Sequence, residues 1–92
     1  MGSDAQKVSR SRFEFDEEGE TAYLEFDLDS HGWITLLHTE VPPRLRGRGI
    51  AGMLAQTALE YARTNNLKVD VICPMANSYI QKHPEFQDLL GK

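Results

Sequence analysis

The decisive stretch of this 92-residue sequence reads Arg44-Leu45-Arg46-Gly47-Arg48-Gly49-Ile50-Ala51. It joins an apolar segment, residues 33–41, to a helical pattern that begins at Ile50. The first amides of a helix have no partner within the helix, and the helix dipole adds partial positive charge there. The glycines let the backbone turn tightly and approach an anion, and the arginines add cations. The stretch therefore predicts a phosphate-binding loop at a helix N-terminus.

Rival phosphate motifs fit less well. No Gly-Lys-Ser/Thr follows the glycines, which excludes a nucleotide-binding P-loop. Gly52 completes the spacing of a dinucleotide fingerprint, but an antiparallel meander precedes the loop. The acidic residue expected about 20 positions on would be Asp70, inside a strand. The remaining alternative is that the glycines only form a tight turn while the arginines face solvent.

Upstream of the loop, the pattern predicts three antiparallel strands. Residues 12–16 and 22–28 alternate apolar and polar side chains, as half-buried strands do. Residues 33–41 are richer in apolar side chains, which predicts a more central third strand. Pro42-Pro43 ends that strand, because proline cannot donate to a sheet ladder.

Downstream, apolar residues at helical spacing from Ile50 predict a long helix that ends at Asn65-Asn66. Residues 68–72 predict a fourth strand, parallel to the third because a helix crosses between them. Residues 77–83 predict a short helix that Pro84 interrupts. The predicted class is α/β (α+β), with a mixed sheet of about four strands: an antiparallel meander, a β-α-β crossover and a short C-terminal helix.

Composition limits the function classes. We expect residues 1–10 to be disordered and residues 11–92 to form one domain. A net charge of −4 argues against a nucleic-acid partner. The sequence lacks the run of roughly 20 apolar residues that a membrane helix needs. The single cysteine favours a cytoplasmic location, and the three histidines match no zinc spacing, so we expect no metal.

The motif Arg44-x-x-Gly47-x-Gly49 between a strand and a helix resembles the cofactor motif of the GNAT superfamily of N-acetyltransferases. The longer pattern is similar to a compact, single-domain group within that superfamily. That pattern comprises residues 38–42 and 46–51, Cys73, Tyr79-Ile80 and His83-Pro84. The resemblance extends from about Arg12 to Leu90. Compared with ordinary GNAT enzymes, we expect this sequence to lack most of the helical region before the central strand and the final strand pair, which usually build the acceptor pocket.

The resemblance implies a minimal GNAT-type acyl-CoA N-acyltransferase fold that binds acetyl-CoA (coenzyme A). It places the pantetheine arm in a wedge between the third and fourth strands and the pyrophosphate on the arginine–glycine loop. The cofactor-binding residues predicted on this basis are Thr39, Glu40, Val41, Arg44, Leu45, Arg46, Gly47, Arg48, Gly49, Ile50, Ala51 and Asn77. For Asn77, the alternative is that its side chain caps a helix.

Acetyl transfer to an amine requires a base and benefits from a proton donor for the leaving thiolate. Cys73, at the end of the fourth strand, is a candidate nucleophile or weak base, or alternatively a small buried hydrophobe. His38 is a candidate base, or alternatively a hydrogen-bonded core histidine. Tyr79 is a candidate proton donor, as a tyrosine is in many GNAT enzymes, or alternatively a packing residue.

The leading hypothesis is an acetyl-CoA-dependent N-acetyltransferase acting on a primary amine, either a small amine or a protein lysine. We expect a monomer or weak dimer whose partners are acetyl-CoA and the amine acceptor. The alternative is a non-catalytic acyl-CoA-binding or protein-interaction module, which the short acceptor side favours.

Overall fold

The computed structural model describes residues 10–90. It contains four strands and two α-helices in the order β1, β2, β3, α1, β4, α2. Short 3-10 helices cover Pro43–Leu45 and Pro84–Leu89. The strands and α-helices are β1 Arg10–Glu17, β2 Glu20–Leu28, β3 Trp33–Glu40, α1 Ile50–Thr64, β4 Lys68–Val71 and α2 Pro74–Lys82. The N-terminal segment predicted to be disordered lies outside the described residues except for Arg10, at which β1 begins.

The sheet has the order β1-β2-β3-β4. β1, β2 and β3 are antiparallel neighbours, and β4 pairs with β3 in parallel. The predicted meander, the central place of β3 and the parallel crossover are therefore confirmed. A tight turn precedes β3, in which the Asp29 carboxylate accepts hydrogen bonds from the amides of His31 (2.8 Å) and Trp33 (3.0 Å).

A β-bulge interrupts the pairing of β2 with β3. Glu25 lies opposite His38 and Phe26 lies opposite Leu36, so Leu37 has no opposite residue in β2. Before the bulge, the even-numbered residues of β3 are buried, whereas after it Thr39 is buried and His38 is exposed. The extra residue has therefore exchanged the two faces of β3 at the point where the site begins.

Both helices pack on one face of the sheet. Their buried side chains join those of the strands in a single apolar cluster, to which Leu54 and Leu59 of α1 and Ile80 of α2 contribute. The opposite face carries half-buried and exposed side chains such as Tyr23 and Glu25. The core therefore lies between the sheet and the helices.

The helix ends follow local chemistry. α1 ends at Thr64, and Asn66 takes a φ of 58°, which confirms the predicted stop at the two asparagines. α2 begins at Pro74, three residues before the predicted start at 77, because a proline at the first helical position loses no hydrogen bond. Within residues 10–90, no helix is long and apolar enough to cross a membrane.

Candidate functional site

The two parallel strands separate beyond the pair Leu36↔Val71. The amides of Ile72 (2.9 Å) and Cys73 (3.0 Å) both donate to the Leu36 carbonyl, and the chain then turns into α2. β3 continues through residues 37–40. Over those positions, the edge of β3 that faces β4 has no strand partner in the described part of the chain. The wedge expected between the strands is therefore present.

The N-terminus of α1 opens beside this wedge. Gly49 is the N-cap with a φ of 76°, and Gly47 has a φ of 79°, values that L-residues rarely adopt. No side chain caps the helix, and its first turn contains no acidic residue. The amides of Ile50 and Ala51 therefore have no intrahelical partner and remain available to an anion.

A cavity of about 250 Å³ lies at this N-terminus. Seven of its eight lining residues are among the predicted cofactor contacts, and Met75 of α2 is the eighth. The predicted residues that line it are Val41, Leu45, Arg46, Gly47, Gly49, Ile50 and Ala51. The cavity therefore combines uncapped amides, two glycines with positive φ and an arginine with apolar side chains. The polar groups suit a phosphate, and the apolar side chains suit an apolar arm of the same ligand. Met75 is not among the residues predicted from the sequence, because its position one residue after Pro74 carries no signal of a site.

The three arginines of the loop are not equivalent. Arg46 donates through Nε to the Val41 carbonyl (3.0 Å) and lines the cavity. Arg44 and Arg48 instead contact glutamates of the β1–β2 turn, and neither is among the residues that line the cavity. Of the three arginines predicted to add cations at the phosphate site, Arg46 is therefore the one that lines the cavity. Arg44 and Arg48 remain within the loop but hold other anions.

Cys73 and Thr39 meet at the apex of the wedge. Their Sγ and Oγ1 atoms are 3.1 Å apart, and the residues are 1% and 7% exposed. Either atom can be the donor. Of the three predicted catalytic residues, Cys73 is the one at the wedge. Its burial also agrees with the alternative of a small buried hydrophobe.

His38 lies on the opposite face of the sheet from Thr39, because neighbouring residues in a strand point to opposite faces. Its side chain is 55% exposed, and Nε2 lies 3.2 Å from Glu40 Oε1. The Tyr23 ring is next to it, with centroids 6.2 Å apart. The alternative of a core histidine is therefore wrong, and the structure does not bring His38 together with Cys73. Glu40, which is predicted to contact the cofactor, contacts His38 through its side chain.

Tyr79 lies in the groove between α1 and α2. Its ring stacks on His83 at 4.0 Å and packs against Gly52, and its hydroxyl donates to Gln56 Oε1 at 3.4 Å. Partial burial, followed by the charge of Glu85 and then that of Glu60, raises the pKa of the hydroxyl. Tyr79 also lines a cavity with Ala51 and Met75, two residues that line the cavity at the N-terminus of α1 as well.

Asn77 neither caps a helix nor lines the cavity at α1. The N-cap of α2 is Cys73, without a side-chain cap, and Asn77 is the fourth residue of the helix. It lines a separate cavity of about 380 Å³ beside β4, with Trp33 and Asp70 among its neighbours. The interpretation of Asn77 as a helix cap is therefore wrong, and its contact with the cofactor stays a prediction. Among residues 10–90, no group of three or more His, Cys, Asp or Glu side chains could hold a metal ion.

Comparisons with known proteins identify relatives of this chain. Protein NATD1 from Gallus gallus and from Mus musculus is 41% identical to this chain over 51 residues. That match is 55% of this chain and 46% of each relative, so the chain spans about half the length of the curated relatives it matches.

A solved structure is similar over most of the chain. It is the NMR structure of a GCN5-like protein from Staphylococcus aureus, described as a candidate N-acetyltransferase. The TM-score is 0.67 at 28% identity, covering 94% of this chain and 84% of the other. This likeness confirms the predicted fold. A sequence model described as GCN5-related N-acetyl-transferase matches residues 12–89. The chain therefore belongs to the GCN5-related N-acetyltransferase family.

Proposed function

We propose that this chain transfers an acetyl group from acetyl-CoA to a primary amine, either on a small molecule or on a protein lysine. One observation carries the proposal: the uncapped N-terminus of α1 and the separated edge of β3 open onto the same region. An acyl-CoA has a diphosphate followed by an amide-bearing arm. That order of groups suits a site in which free helix amides lie next to free strand amides and carbonyls.

Each part of the site has a distinct task. The amides of Ile50 and Ala51, assisted by the Arg46 guanidinium, bind the diphosphate. Backbone groups of residues 37–40 pair with the amides of the arm as an additional strand would. Val41 and Met75 provide apolar contact beside the arm. When bound, acetyl-CoA supplies an activated acyl thioester.

Cys73 is the residue that we place against the reacting group. As the nucleophile, its thiol loses a proton and Sγ forms a bond to the acyl carbon, while the CoA sulfur leaves and takes up a proton. An amine nitrogen then bonds to the same carbon, and Cys73 regains its proton as it leaves. The Thr39 hydroxyl at 3.1 Å can accept a hydrogen bond from the thiol and orient Sγ, while the thiol proton passes to the departing CoA sulfur. Both steps balance without an oxidant or a further reactant.

The direct test is titration of acetyl-CoA by calorimetry, together with an acetyl-transfer assay over a panel of amines. Gly47→Ala forces a side chain onto a φ of 79° at the cavity, and Gly32→Ala does the same at 87° in the β2–β3 turn. Both changes cost about 1 kcal/mol or more of folding stability. Only Gly47→Ala should weaken acetyl-CoA binding. No binding to the unaltered chain at millimolar ligand would sink the proposal.

The second candidate is an acyl-CoA-binding module without catalysis. The burial of Cys73 and the position of His38 on the opposite face of the sheet favour it, because these two candidate groups do not converge. Cys73→Ala distinguishes the two candidates. If the parent chain turns over and the variant does not while still binding acetyl-CoA, Cys73 acts in catalysis. Binding without product from any amine would support the module.

A further inference from the structure

The connection between β1 and β2 is a strongly acidic hairpin tip. Residues 17–20 read Glu17-Glu18-Gly19-Glu20, with Glu17 paired to Glu20 across the turn. Glu18 and Gly19 have φ values of 55° and 78°, as a two-residue hairpin turn requires. Three carboxylates therefore occupy four consecutive positions. We refer to residues 17–20 as the acidic turn.

The acidic turn reaches the arginine–glycine loop across 30 residues of sequence. Arg48 lies 2.7 Å from Glu17 Oε2 and 3.4 Å from Glu18 Oε2. Arg44 lies 3.3 Å from Glu20 Oε2 and 3.9 Å from Glu18 Oε1. Both arginines that are not among the lining residues of the cavity are thus held by the same turn.

These ion pairs largely neutralise the positive charge of the arginine–glycine loop. Of its three guanidinium groups, two face carboxylates, and the third, on Arg46, donates to the Val41 carbonyl. The carboxylates also place negative charge close to the amides at the start of α1. Arginines that are paired with carboxylates are less available to a phosphate ligand, and the negative charge of the carboxylates repels that ligand. Both effects therefore lower the affinity for phosphate.

We propose that the acidic turn is an internal competitor for phosphate at the N-terminus of α1. Its carboxylates hold Arg44 and Arg48 in place of phosphate oxygens and so set a lower affinity than the loop itself would give. The inference rests on the proposed function only in taking this cavity as the phosphate site. It assigns Glu17, Glu18 and Glu20 a role in ligand affinity.

A graded set of variants tests the competition. Glu17→Gln with Glu18→Gln releases Arg48, and adding Glu20→Gln releases Arg44. We expect the triple variant to bind CoA and inorganic pyrophosphate about three- to tenfold more tightly at low salt, since exposed ion pairs are individually weak. The double variant should fall between the triple variant and the parent. Released arginines should also make the affinity fall more steeply with added salt.

A matched control removes the same charge elsewhere. It replaces three carboxylates that contact Arg12 or Arg63 and none of the loop arginines. The control substitutions are Glu14→Gln, Glu25→Gln and Asp88→Asn. This control should leave the affinities for CoA and for pyrophosphate within about twofold of those of the parent. The reason is that its three carboxylates do not contact the loop arginines, whereas the acidic turn does.

The outcomes separate this inference from the proposed function. Tighter binding of both probes in the acidic-turn variants alone supports the inference. Unchanged or weaker binding overturns it, even if the parent acetylates amines. If pyrophosphate tightens while CoA binds to no variant, the competition stands and the proposed function fails. If neither probe binds to any variant, both fail.

Discussion

Thr39 Oγ1 lies 3.1 Å from Cys73 Sγ, joining β3 to the start of α2 where the two parallel strands separate. The contact is buried, with Thr39 7% and Cys73 1% exposed. It is a polar link across the apex of the wedge that is proposed to admit the acyl arm. A substitution at this pair is therefore expected to change both the stability of the fold and the proposed site.

Replacing Thr39 by valine keeps the shape of the side chain but removes the hydroxyl. We expect a loss of about 1 kcal/mol in the free energy of unfolding, because a buried hydrogen bond is lost. Urea denaturation followed by circular dichroism measures this. Thr35→Val, on the open face of the same strand, is the control and should stay within about 0.5 kcal/mol of the parent. Equal effects of the two substitutions would mean that the Thr39–Cys73 contact contributes nothing specific.

Local sequence patterns predicted most of the fold. The alternation in residues 22–28 and the helical spacing from Ile50 each reflect burial on one face, which the structure confirms. Met53 and Tyr61 share the helical spacing that begins at Ile50, yet they are 38% and 37% exposed. The buried face of α1 is therefore rotated toward the side of Ala55 and Ala62. The periodicity of apolar residues predicts that this segment is a helix, whereas which face of the helix is buried depends on the elements that pack against it.

The site was predicted less completely, for two physical reasons. Regular alternation from Ile34 and Leu36 would turn His38 inward, but the unpaired Leu37 shifts the register and turns Thr39 inward instead. No glycine or proline marks that bulge in the sequence. The pairing of Arg48 with Glu17 spans 31 positions, and such a contact follows from tertiary packing that no local pattern shows.

Two aspartates make stability depend on pH on the acidic side. The amides of His31 and Trp33 lower the pKa of Asp29, and the hydrogen bond from Arg63 lowers the pKa of Asp88. Because both values are lower in the folded chain, their contribution is present above the unfolded value of about 3.9. It is lost as the pH falls through the folded values.

We therefore expect the urea midpoint to fall as the pH drops below about 4, and Asp88→Asn to flatten that fall. Denaturation curves at several pH values test this. Glu14→Gln, another exposed carboxylate on an arginine, provides a comparison. A slope in Asp88→Asn that matches the parent would show that the Arg63 contact does not form in solution.

Tyr79→Phe tests the tyrosine as a proton donor. Partial burial raises the pKa of its hydroxyl above the ordinary 10.0. The hydroxyl is therefore protonated at neutral pH, but it faces Gln56 on α1. We expect turnover to change less than about threefold, since a general acid typically contributes a hundredfold or more. The ultraviolet difference between parent and variant should titrate above pH 10. A hundredfold loss of turnover would place the hydroxyl at the thioester instead.

Met75 offers a test of the cavity that is independent of the loop. Its side chain lines the cavity and is 47% exposed, and it occupies the first turn of α2, where a carboxylate is favourable to the helix dipole. Met75→Glu should therefore fold as stably as the parent yet bind acetyl-CoA roughly tenfold more weakly, because the new charge repels the phosphates. Ile72→Glu is the matched control, since Ile72 is 63% exposed and does not line the cavity. Calorimetry on the two variants decides: equal losses of affinity would indicate a long-range charge effect, whereas a loss confined to Met75→Glu would place the ligand against α2.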